Sequence, residues 1–160
     1  GGALMDLNVY NIHAIVGLFG KPWEVRYEAN MERGIDTSGV LTLDYGDFKV
    51  VAIGAKDCKA PVRCTIQGTK GCFVVPKPMS QMDGYELQLN SGETVEYRVE
   101  KPENRLYYEF AEFERIIREK DREKEEEMLK ISGIVSGILE EARRQNRIFT
   151  RFPVMLPAAP

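Results

Sequence analysis

A chain of 160 residues, 43% apolar and 29% charged, is long enough for one domain with a proper core and too short for two ordinary ones. A formal net charge of -3 and a single histidine exclude a general nucleic-acid surface, which needs clustered basic residues. Three cysteines, Cys58, Cys64 and Cys72, without C-x-x-C spacing or a nearby histidine, argue against a disulfide framework and a metal site, and they imply a reducing, cytoplasmic setting.

The first predicted element is a helix over residues 4–19, and its polar positions are unusual. Asp6, Tyr10, His13 and the small Gly17 are four, three and four apart, which stacks them on one helical face. Leu4, Met5, Leu7, Val9, Ile12, Ile15, Val16, Leu18 and Phe19 occupy nearly all the rest, so the helix is expected to be largely buried. Gly20 and Lys21-Pro22 close it.

Period-two alternation follows, with Trp23, Val25, Tyr27, Ala29 and Met31 sharing a covered face and Glu24, Arg26, Glu28 and Asn30 the other. Residues 40–45 and 48–53 read as a hairpin around Gly46-Asp47. Further strands are predicted at 62–67, 72–75, 85–90 and 94–99, and Cys64 fits a small core position between Val62 and Ile66. After Pro102 the period becomes helical, with Leu106, Phe110, Phe113 and Ile117 in one row. Asp121 can cap a last helix carrying Met128, Ile131, Val135, Ile138 and Ala142 on one face.

This order gives an α+β domain over residues 1–160 with one open, mostly antiparallel sheet and helices covering one face. Val50-Val51-Ala52-Ile53 is apolar on both sides, so the uncovered sheet face is expected to meet another copy of the chain, making a homo-oligomer. No apolar run reaches the ~18 to 20 residues of a membrane span, and no signal-peptide pattern is present. The chain opens abruptly on Gly1-Gly2 and reads as an excised piece of something longer.

No G-x-S-x-G, H-E-x-x-H, P-loop or G-x-G-x-x-G motif is present, which leaves the opening stripe as the place for chemistry. From spacing alone two readings stand. In one, Asp6 solvates the helix start, Tyr10 packs at an edge and His13 is a satisfied core residue. In the other, the stripe is the wall of a cleft in which a carboxylate and a phenol hold a hydroxylated ligand and pass a proton.

The segment GGALMDLNVY resembles the G-G-G-x-L-x-D-x-G-x-[HY] motif that opens the C-terminal domain of the Gfo/Idh/MocA oxidoreductases. The likeness continues through Thr65-Ile-Gln-Gly-Thr-Lys-Gly71, Tyr108-Glu-Phe-Ala-Glu-Phe113 and residues 132–143, so it covers nearly the whole chain. The resemblance implies a substrate-binding and oligomerisation domain of an enzyme that moves a hydride between NAD or NADP and a sugar, cyclitol or related diol. The N-terminal Rossmann domain of that family, which binds the cofactor and supplies a catalytic lysine, is absent here, so this chain alone is expected to be inactive.

The resemblance also assigns roles. Asp6 matches the aspartate that orients substrate and catalytic groups. Tyr10 stands where some members carry histidine, and tyrosine there is similar to the branch in which it is the acid/base. Asn8 replaces the motif's glycine, and His13 stands where many relatives have aspartate, as a substrate contact, a partner of Tyr10 or a structural residue. Removing a hydroxyl proton during hydride transfer suits a phenol beside an ammonium, which lowers its ordinary pKa of about 10. The alternative function is a non-catalytic ligand-binding or assembly module with the same open sheet.

Overall fold

Among the described residues, seven strands and three α-helices occur in the order read from the sequence, but the strands pair as two antiparallel sheets rather than one. The computed structural model describes residues 1–100, 102–104 and 106–146. The first sheet joins β1 (Glu24–Glu32), β2 (Ile35–Asp44) and β3 (Lys49–Ala55) in the order β1-β2-β3. The second joins β4 (Cys64–Gly68), β5 (Gly71–Val75), β6 (Gly84–Leu89) and β7 (Thr94–Arg98) in sequence order. The break falls at residues 56–63, which form no strand and include Pro61, a residue unable to donate to a ladder. Both sheets are open, and the α+β class stands.

The opening helix has two parts, a π-helical turn at Leu4–Asn8 and α1 at Val9–Phe19. Its expected burial all round is not observed. Leu4, Asn8, Ile12 and Val16, each four residues from the next, form one buried row, while Met5, Leu7, Leu18 and Phe19 are exposed. The helix lies at the surface of its layer, so only one stripe finds cover. Gly20 ends it as expected, its N–H donating to Val16 O at 2.8 Å from a backbone with positive φ.

α3 (Arg122–Gln145) is the other cover of the first sheet, and Asp121 caps it by accepting from Lys124 N at 3.0 Å. Val135, Ile138, Leu139 and Ala142 join Ile12, Val16, Tyr27, Leu41, Leu43 and Ala52 in one core. The register places Tyr27, Leu41 and Ala52 side by side across the sheet on this covered face. The end of α3 also protects the free edge of β1. Gln145 accepts from Tyr27 N at 2.9 Å and donates to Val25 O at 2.8 Å, and Asn146 donates to Tyr27 O at 2.6 Å. Side-chain amides thus take the place of a further strand.

Two expectations for β1 fail at its ends. Trp23 lies outside the strand and is 83% exposed, its ring against Gly46. A register shift between Asn30 and Met31 turns Met31 outward. The turn that follows, Arg33-Gly34, has positive φ at both residues, as a tight hairpin requires, and lets β2 begin at Ile35, earlier than the polar run Asp36-Thr-Ser-Gly39 suggests.

The second sheet has one apolar face, on which Ile66, Phe73, Leu87 and Val95 align and Tyr85 stacks on Tyr97 at 5.2 Å. Cys64 is half-buried on that face beside Ile66, and burial pushes its thiol up. α2 (Tyr107–Glu119) buries none of its residues, so the row of Leu106, Phe110, Phe113 and Ile117 is exposed rather than covering a sheet. No helix among the described residues is long and apolar enough to cross a membrane.

Candidate active site

The buried row of the opening helix dictates what faces outward. With Leu4, Asn8, Ile12 and Val16 turned to the core, Asp6, Tyr10, His13 and Gly17 all face solvent, and Tyr10 is 58% exposed. His13 is therefore not a satisfied core residue. Neither Tyr10 nor His13 forms a side-chain hydrogen bond with a described residue, so both are available to a ligand.

Two anchors hold the turn that carries Asp6. The buried carboxylate of Asp36 accepts from Leu4 N at 2.6 Å and from Tyr27 Oη at 2.8 Å through the same oxygen. Burial first, and then the bond to Asp36, pushes the Tyr27 phenol above its usual range, which keeps it a donor. Close approach accounts for two glycines here: a side chain at Gly2 would overlap the Asp36 carboxylate, and one at Gly39 would overlap the Tyr27 ring. The glycine at the start of the motif is a packing requirement of the anchor.

The second anchor is Lys56, just beyond β3. Its ammonium donates to Asp6 Oδ2 at 2.5 Å and to Gly1 O at 2.9 Å. The Lys56 hydrogen bond, and then its charge, hold the Asp6 carboxyl below the usual carboxylate range. Asn8, the departure from the motif, is fully buried beside Gly54, whose missing side chain leaves room for it; its amide oxygen accepts from Asn11 Nδ2 at 2.9 Å.

The structure thus places Asp6, Tyr10 and His13 on one exposed face, and it adds Lys56, Asp36 and Tyr27 as supports that sequence reasoning missed. Lys56 and Asp36 are far along the chain from the helix and belong to no local pattern. The only sequence signal for Asp36 is indirect, a small residue kept at Gly2. Hollows on the outer face of the first sheet (Glu24, Arg26, Thr42, Asp44, Lys49) and on the polar face of the second (Arg63, Val74, Glu86, Gln88) lie away from the stripe.

The starts of the opening helix, α2 and α3 do not suit the pyrophosphate of a dinucleotide. A helix N-terminus attracts phosphate, but the first turns here carry Asp6, Glu109, and the pair Glu123 and Glu125, whose carboxylates repel it. Among the described residues no three His, Cys, Asp or Glu side chains converge as cation ligands.

An open antiparallel α+β domain that begins on a Gly-Gly turn and exposes an Asp-x-x-x-Tyr stripe resembles a C-terminal domain of the Gfo/Idh/MocA oxidoreductases. No protein-family model matches it. It is 31% identical over 145 residues to the scyllo-inositol 2-dehydrogenase (NADP(+)) IolU of Bacillus subtilis, covering 90% of this chain and 44% of that protein. It is 28% identical over 148 residues to the uncharacterized oxidoreductase YgjR of Escherichia coli, covering 92% and 44%. The chain therefore spans less than half the length of the curated relatives it matches. In fold it is similar to a crystal structure from Klebsiella pneumoniae provisionally named an oxidoreductase, with a TM-score of 0.64, 20% identity and coverage of 92% of this chain and 47% of that one.

Proposed function

We propose that this chain is the substrate-binding part of an NAD(P)-dependent oxidoreductase acting on a cyclitol, sugar or related diol, with the cofactor held mainly by a Rossmann domain outside it. The observation that carries the reading is the exposed Asp6, Tyr10 and His13 stripe on a helix whose opposite row is locked in the core. The similarity to a scyllo-inositol 2-dehydrogenase supports the substrate class and the nicotinamide. Acidic helix starts in this chain support a cofactor site elsewhere.

A nicotinamide, when bound, supplies the hydride acceptor. The chain's own residues do the rest. Asp6, kept ionised by Lys56, accepts a hydrogen bond from a substrate hydroxyl and fixes the carbinol carbon. Tyr10, one turn along, takes the proton of the reacting hydroxyl and returns it in the reverse direction. His13, one turn further, contacts the distal part of the substrate and sets preference. The working protein is a cytoplasmic homo-oligomer that meets its copies through the uncovered sheet faces; three free cysteines support the reducing setting.

Tyr10→Phe in the full-length protein tests this reading. Loss of a positioned acid/base lowers kcat by about 10² to 10⁴ while cofactor binding stays near normal. His13→Asn is expected to alter KM and substrate preference more than kcat. A Tyr10→Phe enzyme with nearly full kcat and kcat/KM, measured where chemistry limits the rate, defeats the assignment.

A further inference from the structure

Lys56 sits at an unusual junction. Its backbone N–H donates to Thr37 O at 2.8 Å, which ties it to β2, and its side chain crosses to the opening turn, 50 residues earlier in the chain, to hold Asp6 Oδ2 and Gly1 O. An ion pair with side chains 37% and 61% exposed contributes little to stability, because water screens it and two flexible side chains must be held. Stability of the fold is thus a poor account of so specific a contact.

The consequence for Asp6 is geometric. An ammonium has three donors, two of which are used here, and it fixes one carboxylate oxygen on an otherwise solvated side chain. The other oxygen, Asp6 Oδ1, has no hydrogen-bond partner among the described residues. A carboxylate free to rotate on the surface would lose orientation each time it bound a hydroxyl; one clamped at a single oxygen presents the second at a defined place, one helical turn from Tyr10.

We propose that Lys56 is the positioning residue of the site: it clamps Asp6 by one oxygen so that the other accepts a substrate hydroxyl beside Tyr10. The inference rests on the oxidoreductase reading and adds a residue to it from the far end of β3. Because Lys56 acts through Asp6, its effect disappears when Asp6 can no longer be clamped as an anion.

A double-mutant cycle in the full-length protein decides it, with kcat/KM measured on scyllo-inositol and NADP⁺. Lys56→Gln is expected to lose about 10- to 100-fold, the cost of misplacing a binding group. Asp6→Asn loses more, the double variant is no worse than Asp6→Asn, and Lys56→Arg recovers most of the activity. The thermal midpoint of Lys56→Gln stays near wild type. Losses that multiply in the double variant place the action of Lys56 elsewhere and overturn the proposal. Absence of any nicotinamide-linked turnover by the wild type defeats the functional reading instead, and carbon-13 NMR of the Asp6 carboxyl then judges Lys56. A lower titration midpoint in wild type than in Lys56→Gln supports the clamp, and equal midpoints refute it.

Discussion

The two sheets are made of the same antiparallel hairpins, yet they use their apolar faces differently. In the first, α1 and α3 close over Tyr27, Leu41, Leu43 and Ala52, and one core results. In the second, Ile66, Phe73, Tyr85, Leu87, Val95 and Tyr97 form an apolar face on which none of these six is buried, and α2 stands apart with its own apolar row exposed. The difference lies in helix supply rather than strand composition. The opening helix, one of the two that cover the first sheet, also carries the Asp6, Tyr10 and His13 stripe, so the stripe is built on the half with the packed core, while the other half leaves an apolar face open.

If that division is right, equivalent truncations should cost unequal amounts. Leu41→Ala, at a fully buried position in the first sheet, is expected to destabilise by about 2–5 kcal/mol in urea unfolding. Phe73→Ala, a half-buried ring in the second sheet, should cost clearly less although it removes more atoms. Equal losses would mean that the second sheet has a hidden core in solution, and the contrast would fall.

Legibility divides along the same line. Strands, hairpin turns, the Gly20 stop and the Asp121 cap were readable because each depends on neighbours in sequence. The Asp6, Tyr10 and His13 stripe was readable for that reason too, together with its resemblance to a known motif. What was not readable depends on long-range partners: Lys56 and Asp36 reaching back to the first turn, Gln145 and Asn146 sealing the edge of β1, and the separation of the sheets at residues 56–63. Amphipathic rows such as Phe110, Phe113 and Ile117 were readable as rows, but period alone does not say whether this chain or another molecule covers them.

Two glycines on the opening helix segment sharpen the contrast between its faces. Gly2→Ala forces a methyl group into the Asp36 carboxylate and disturbs the bond to Leu4 N, with an expected loss of about 1–3 kcal/mol. Gly17→Ala, on the exposed face with open space around it, should be neutral or stabilise by up to about 1 kcal/mol. Differential scanning calorimetry reads both; a tolerated Gly2→Ala would show that the Asp36 anchor is not what holds the turn.

A smaller effect, about 1 kcal/mol, is expected for Tyr27→Phe, which deletes the phenol bond to Asp36 but leaves the ring in the core. Its pH dependence has a definite sign. Burial raises the folded-state pKa of Tyr27 above the unfolded value of about 10, so this stabilisation is complete below about pH 10 and is lost as pH rises beyond it. Wild type should therefore lose stability on the alkaline side, and Tyr27→Phe should lose less, with Tyr45, also raised by burial, accounting for part of what is left. Identical alkaline slopes in the two proteins would show that Tyr27 does not sense the core.

The least effect on folding is expected on the open face of the second sheet. Tyr97 is 52% exposed and stacks only on Tyr85, so Tyr97→Glu should change the unfolding free energy of a single chain by no more than about 0.5 kcal/mol. Association is another matter. A contact between copies through this face would bury the new carboxylate near Val95 and Leu87 without a partner, and a buried unpaired charge is strongly disfavoured. Sedimentation at micromolar concentration separates the two effects. A wild type that self-associates and a Tyr97→Glu protein that sediments as a folded monomer would assign the open face to assembly. A variant that associates as well as wild type would move the interface to the outer face of the first sheet, where Val51 and Ile53 are exposed, and would leave the second sheet's apolar face without its expected occupant.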